Sequence, residues 1–182
     1  MISTGCIGIS NRPTGWYPRA VRFFTRSKWS HCFILANSYL ERNCVLEADL
    51  KVQLVDFEKE YIKKVADSWR IYDPVQATSS EKNYAAAETF KEYNGQTYGF
   101  LQILGMAIRI MLRWLGISKN MRNLFPSGVI CSELVLYYLK ALGGEYEDAF
   151  KHLSLDETSP DDIYQVIYDN PKLFRFVGGR DL

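Results

Sequence analysis

One stretch constrains the fold more than any other. Val129 to Leu142 (VICSELVLYYLKAL) sets Cys131, Leu134, Val135, Tyr138, Leu139 and Leu142 at i, i+3, i+4, i+7, i+8 and i+11. That spacing is one apolar face of an α-helix, and such a face must be buried against something. Ser127-Gly128 precedes the helix and Gly143-Gly144 ends it, with Glu133 in the first turn and Lys140 in the last, as the helix dipole prefers. A covering partner lies upstream. Trp29 to Ala36 (WSHCFILA) reads as a buried strand, with His31, Phe33 and Leu35 on one face and Cys32, Ile34 and Ala36 on the other. After a turn near Glu41-Arg42-Asn43, Cys44 to Ala48 reads as the next strand, and Val45, Glu47 and Asp49 share a face. Strands joined this closely are expected to be antiparallel neighbours.

The remaining pattern mixes both periods. Residues 5–10, 51–55, 69–72 and 173–177 read as short strands, and 17–26 as a short amphipathic helix. Residues 57–65 fit neither template cleanly. A helix is predicted over 81–94, capped by Ser79 or Ser80 and closed by Gly95, with Ala86, Phe90 and Tyr93 as its core stripe. Another starts at Ser159, with Pro160 in its first position and Asp161-Asp162 in its first turn. Strands and helices in this order predict an α+β fold: a small antiparallel sheet or half-barrel packed on helices, with Cys131 at a helix N-terminus. With 182 residues and no repeat or linker, residues 1–182 form a single domain, long enough to bury a core without disulfides.

Charge and motif content exclude several function classes. There are 22 Lys+Arg against 21 Asp+Glu, a net charge of +1, so no nucleic-acid partner is expected. Four cysteines occur without a secretory leader, which predicts a cytoplasmic product with free thiols, phage-encoded or virion-associated proteins included. No zinc spacing, Gly-rich phosphate loop or G-x-S-x-G elbow is present, so no metal and no cofactor are expected. Phe100 to Ile117 is the most apolar part, too short and too interrupted for a membrane span. It reads either as a helix covered by the core or as a face for a protein partner or a membrane surface.

The chemistry-bearing candidates are few. Cys131 lies in the first turn of its helix, where amides and dipole favour a thiolate. It also lies on the apolar face, where inert buried cysteines are common. His31 sits in an apolar strand and needs a partner there, which Glu47 on the next strand can supply. The pair is either structural or the orienting half of a thiol site, with one ring nitrogen left for the sulfur. His152, among acids, reads as surface, and Glu133 as a helix-terminus residue.

These residues, in this order, resemble the circularly permuted branch of the NlpC-type papain-like cysteine hydrolases, the YiiX-like group. The matching pieces are Ser30-His31-Cys32-Phe33-Ile34, Glu47-Ala48 and Cys131-Ser132-Glu133-Leu134-Val135. Gly95 to Phe100 (GQTYGF) and Ser159 to Tyr164 (SPDDIY) are weaker matches. The resemblance implies a permuted papain-like fold. Cys131 would be its nucleophile, His31 the acid and base, Glu47 the group orienting His31, and Tyr98 a substrate-binding residue. The implied activity is hydrolysis of amide bonds, peptide bonds of bacterial peptidoglycan foremost, through a thioacyl intermediate. The apolar stretch at about 100–127 stands as an insertion in that pattern. Two other functions compete: an acyltransferase or lipid amide/ester hydrolase, and an inert binding module using residues 100–117.

Overall fold

The computed structural model describes residues 3–12, 16–37, 43–63, 68–99 and 128–180, and the single positions 105, 108, 112 and 116. Most of the apolar segment 100–117, and with it the partner surface expected there, therefore lies outside the described residues.

The architecture is α+β. Strands β1 (Ile7–Asn11), β2 (His31–Asn37), β3 (Asn43–Ala48), β4 (Val52–Asp56), β5 (Ser68–Pro74) and β6 (Phe174–Arg180) form one sheet in the order β4-β3-β2-β1-β5-β6. Every adjacent pair is antiparallel. Five α-helices are described: α1 (Trp16–Thr25), α2 (Ser79–Tyr93), α3 (Cys131–Ala141), α4 (Gly144–Phe150) and α5 (Pro160–Asp169). The ambiguous segment 57–65 contains a single π-helical turn, Glu58–Ile62.

Strand alternation divides the core into two faces, as the sequence predicts. One face carries Ile7, Ile9, Cys32, Ile34, Leu46 and Ala48, and packs on the apolar side of α3 and on α2 and α5. The other carries Phe33, Leu35, Val45, Phe57, Tyr61, Trp69 and Ile71. Gly8 makes this second face possible. It pairs with Phe33 across β1–β2, and a Cβ there would stand 2.0 Å from the Phe33 ring. The bare backbone lets Phe33 lie over β1 and pack against Tyr61 at 4.2 Å between ring centroids. Tyr61 is thereby fixed, and its hydroxyl reaches the site described below.

Three local expectations change. The cap of α2 is Thr78, in a capping box with Glu81, rather than Ser79 or Ser80. Thr78 has the extended backbone that a cap needs, and the two serines are already helical. The buried stripe of α2 is Lys82, Ala85, Ala86, Thr89 and Tyr93, with Phe90 half-buried. Gly143-Gly144 ends α3 but also starts α4, because both adopt positive φ and turn the chain sharply. The start of α5 is as expected: Ser159 caps it in a box with Asp162, and Pro160 opens it.

Candidate active site

Cys131 is the first residue of α3. Its N-cap is Ile130, extended and with no side-chain cap, so no side chain occupies the first-turn amides from that position. The approach to the helix is clamped. Gly99 N–H donates to Val129 O at 3.1 Å, Val129 N–H donates to Thr97 O at 3.0 Å, and Tyr98 bridges Val129 in parallel register. Gly128 has φ 87°, and a Cβ there would stand 2.7 Å from the Gly99 backbone. Only glycine lets the two segments come so close. A second bond fixes the helix from the other side: Ser132 Oγ donates to Thr158 O at 2.5 Å, just before the cap of α5.

His31 begins β2, where the sheet opens. Within the described residues the β2–β3 ladder runs from Ile34–Leu46 to Asn37–Asn43, while β3 stays paired with β4 through Ala48–Val52. The opening admits the hydrogen bond that the sequence anticipated. His31 Nε2 and Glu47 Oε2 lie 3.1 Å apart, and both residues are buried. His31 Nδ1 is buried and has no hydrogen-bond partner among the described residues.

The charges around the ring organise it. Burial alone would lower the His31 pKa, and the Arg12 charge also lowers it. The Cys131 thiolate and the Glu47 hydrogen bond outweigh both and raise it to about 9. The Cys131 thiol is held well below its ordinary value. A hydrogen bond from the Cys32 thiol contributes most to this, against burial, and the His31 charge and the Cys32 backbone N–H add to it. Cys32 itself is pushed up by burial and by Cys131, so it stays protonated as a donor. Burial would raise the Glu47 pKa, but His31, Arg12 and Tyr61 together lower it to about 2. These directions favour a thiolate at Cys131, a charged ring at His31 and a carboxylate at Glu47.

The structure thus brings Cys131, His31 and Glu47 together. Tyr98 is buried in the same core cluster as Cys131, and its backbone N–H donates to Leu50 O at 3.0 Å, beside the β3–β4 turn. Glu133 interacts with Tyr93 across α2 and α3, in keeping with a structural reading. His152 is exposed. Sequence reasoning missed Arg12, Tyr61 and Cys32. Arg12 Nη2 donates to Glu47 Oε2 at 2.8 Å and to the Tyr61 hydroxyl at 3.0 Å, while Nη1 donates to Asp49 Oδ2 at 2.8 Å. The Tyr61 hydroxyl donates to the same Glu47 oxygen. No spacing rule links residues 12, 47 and 61. Cys32 carried one usable signal, its place on the strand face that a cysteine-bearing helix covers.

No family model matches the sequence, and no curated protein matches it. Among solved structures, the chain resembles the crystal structure of metalloprotein yiiX from Escherichia coli O157:H7, a DUF1105 protein. The TM-score is 0.56 at 20% sequence identity, covering 98% of this chain and 97% of that one. The name of that protein assigns it a metal. Among the described residues here, no group of three or more His, Cys, Asp and Glu side chains is arranged to hold one. The donor chemistry at Glu47 also fits a metal poorly: Oε2 meets His31 Nε2, a guanidinium and a phenol hydroxyl. No described helix is long and apolar enough to cross a membrane. What the comparison carries is a likeness of fold: the α+β architecture of this chain is similar to that of yiiX over nearly the full length of both.

Proposed function

We propose that this chain is a thiol hydrolase of permuted papain-like fold that cleaves amide bonds, those of peptidoglycan peptides foremost. The observation that carries the reading is the placement of Cys131: a buried thiol at a helix start, its pKa lowered in part by His31, whose Nε2 lies 3.1 Å from Glu47 Oε2. The match of the S-H, E-A and C-S-E-L-V segments to the permuted cysteine hydrolases supports it.

In this mechanism the Cys131 thiolate attacks the carbonyl carbon and forms a tetrahedral oxyanion. The Cys131 backbone N–H, at the uncapped start of α3, is one donor to that oxyanion. His31 Nδ1, the ring nitrogen not engaged with Glu47, gives its proton to the leaving amine. Collapse expels the amine and leaves a thioacyl enzyme. The now neutral His31 takes a proton from water, which attacks the thioester; the second tetrahedral intermediate collapses by breaking the C–S bond, releasing the acid and restoring the thiolate–imidazolium pair. Glu47 keeps the ring oriented and its charge compensated through both steps. Tyr98, lying between the β3–β4 turn and the start of α3, borders the substrate.

Cys131→Ala is expected to lower cleavage of purified peptidoglycan by more than about a thousandfold. Amide, ester and thioester substrates, assayed with and without an added acyl acceptor, separate hydrolysis from acyl transfer. Retention of full cleavage by Cys131→Ala sinks the proposal.

A further inference from the structure

The Cys131–His31–Glu47 series ends in a fourth group. Arg12 leaves the end of β1, and its backbone N–H donates to Ser30 Oγ at 2.9 Å, one residue before His31. Its guanidinium forks between Glu47 on β3 and Asp49 just past the end of that strand. The Tyr61 hydroxyl and ring brace it: Nη2 donates to the hydroxyl, and the guanidinium carbon lies 5.5 Å from the ring centroid. Arg12 and His31 therefore meet the same oxygen of Glu47, at 2.8 Å and 3.1 Å.

We propose that Arg12 is a positioning residue that acts through Glu47 to set how tightly His31 holds its proton. The inference rests on the thiol-hydrolase reading and deepens it. A buried carboxylate facing an imidazolium alone would bind the proton too firmly for a general acid, which works best with a pKa near the working pH. A second cation on the same carboxylate oxygen shares that charge and loosens the imidazolium. Asp49, on the far side of the guanidinium, tempers the effect. Among the described residues, the groups acting on His31 are Cys131 from α3, Glu47 from β3 and Arg12 after β1; Asp49, just past β3, reaches it through Arg12, Tyr61 from the π-helical turn through Glu47, and Cys32 from β2 through Cys131.

The sign of each substitution follows. Arg12→Gln removes the opposing cation and raises the His31 midpoint by about one pH unit or more. Arg12→Lys keeps the charge and holds the midpoint near that of the unmodified chain. Asp49→Asn removes the countercharge, strengthens the effect of Arg12, and lowers the midpoint. A role limited to packing would give the two charge-removing variants no opposite signs.

The test is an NMR titration of the imidazole ring protons in the full chain. There are two histidines, His31 and the exposed His152, and His152→Gln assigns the signals. Opposite shifts for Arg12→Gln and Asp49→Asn, with Arg12→Lys unmoved, support the proposal. An unmoved or lowered midpoint in Arg12→Gln overturns it, as does a raised midpoint in Asp49→Asn. If Arg12→Gln does not fold, Asp49→Asn and Arg12→Lys decide alone, since both keep a cation at position 12. The unmodified chain separates this failure from that of the underlying reading. A midpoint at or below the ordinary histidine value breaks the Cys131–His31 pair itself, whereas a high midpoint indifferent to the variants breaks only the role of Arg12.

Discussion

Two clusters in this molecule, each around a buried thiol, use similar side chains and reach opposite results. Around Cys131, a carboxylate, an arginine and a histidine surround a thiol. On the other flank of β1, Cys6 meets Asp73, Lys82 and Arg175. Lys82 Nζ bonds Asp73 Oδ1 at 2.6 Å, Arg175 Nη2 bonds Asp73 Oδ2 at 2.9 Å, and Cys6 Sγ donates to Asp73 Oδ1 at 3.8 Å. Burial pushes the Cys6 thiol up and the Asp73 charge adds to it, with Ser3 offsetting only part. The Cys131 thiol goes down. Composition is not the cause. In one cluster the sulfur gives its proton toward a carboxylate that two cations already satisfy. In the other its pKa is lowered by Cys32 and His31, and the Glu47 carboxylate meets the far side of the ring at Nε2. The order of the charges decides which thiol is favoured as a thiolate.

The most direct way to break this comparison is alkylation. At pH 6 iodoacetamide should modify Cys131 at least about a hundredfold faster than Cys6, because Cys6 is almost wholly protonated there. Peptide mapping by mass spectrometry resolves the four thiols. Equal rates would show that the two clusters do not differ chemically.

A second test uses stability against pH, read from denaturant midpoints. The His31 pKa is raised to about 9, which alone would give stability that is full below about 6.5 and lost as pH rises to about 9. The Cys131 pKa is lowered, which alone would give stability that grows as pH rises toward 9. Across about pH 6.5–9 the native pair and the unfolded groups bind the same number of protons. The two slopes cancel, and a plateau is expected. Below about 6.5 the unfolded state binds more protons through Cys131. Below about 4.5 Glu47 adds its own loss, completed as pH falls through about 2, and Asp73 joins it. Stability should therefore fall on the acid side from both clusters, while the plateau belongs to the Cys131 site alone. A clear decline between pH 6.5 and 9 would mean that His31 is charged without a thiolate beside it.

The smallest effect sharpens the contrast. Cys32→Ala removes the hydrogen bond that contributes most to the low Cys131 pKa. The acid edge of Cys131 alkylation should move up by about one pH unit, with the selectivity over Cys6 reduced but retained. An unmoved edge would assign the whole effect to His31 and the helix start.

The legible parts of this site are those with a period. Two alternating strands joined by a short turn put His31, Glu47 and Asp49 on one face, and the structure pairs His31 with Glu47. The helical spacing from Cys131 to Leu142 identifies the face that α3 buries. Arg12 and Tyr61 were not legible. Arg12 lies beyond the end of a strand, and Tyr61 lies in a π-helical turn that fits neither hydrophobic period. Tyr61 reaches Glu47 while packed on Phe33, which settles over Gly8, a packing arrangement with no local pattern. Cys32 was placed on the correct strand face but given no chemistry, because its partner comes from a helix about a hundred residues away.

By itself the sequence determined the α+β class, the strand faces, the caps that start α5, and the residue types from which a thiol site could be made. These are local properties, set by backbone period and by which side chains must leave water. Only the tertiary structure decided which cysteine is favoured as a thiolate. A thiol's proton affinity depends on the charges and donors within a few ångströms, and those come from β1, β2, β3 and the π-helical turn at once.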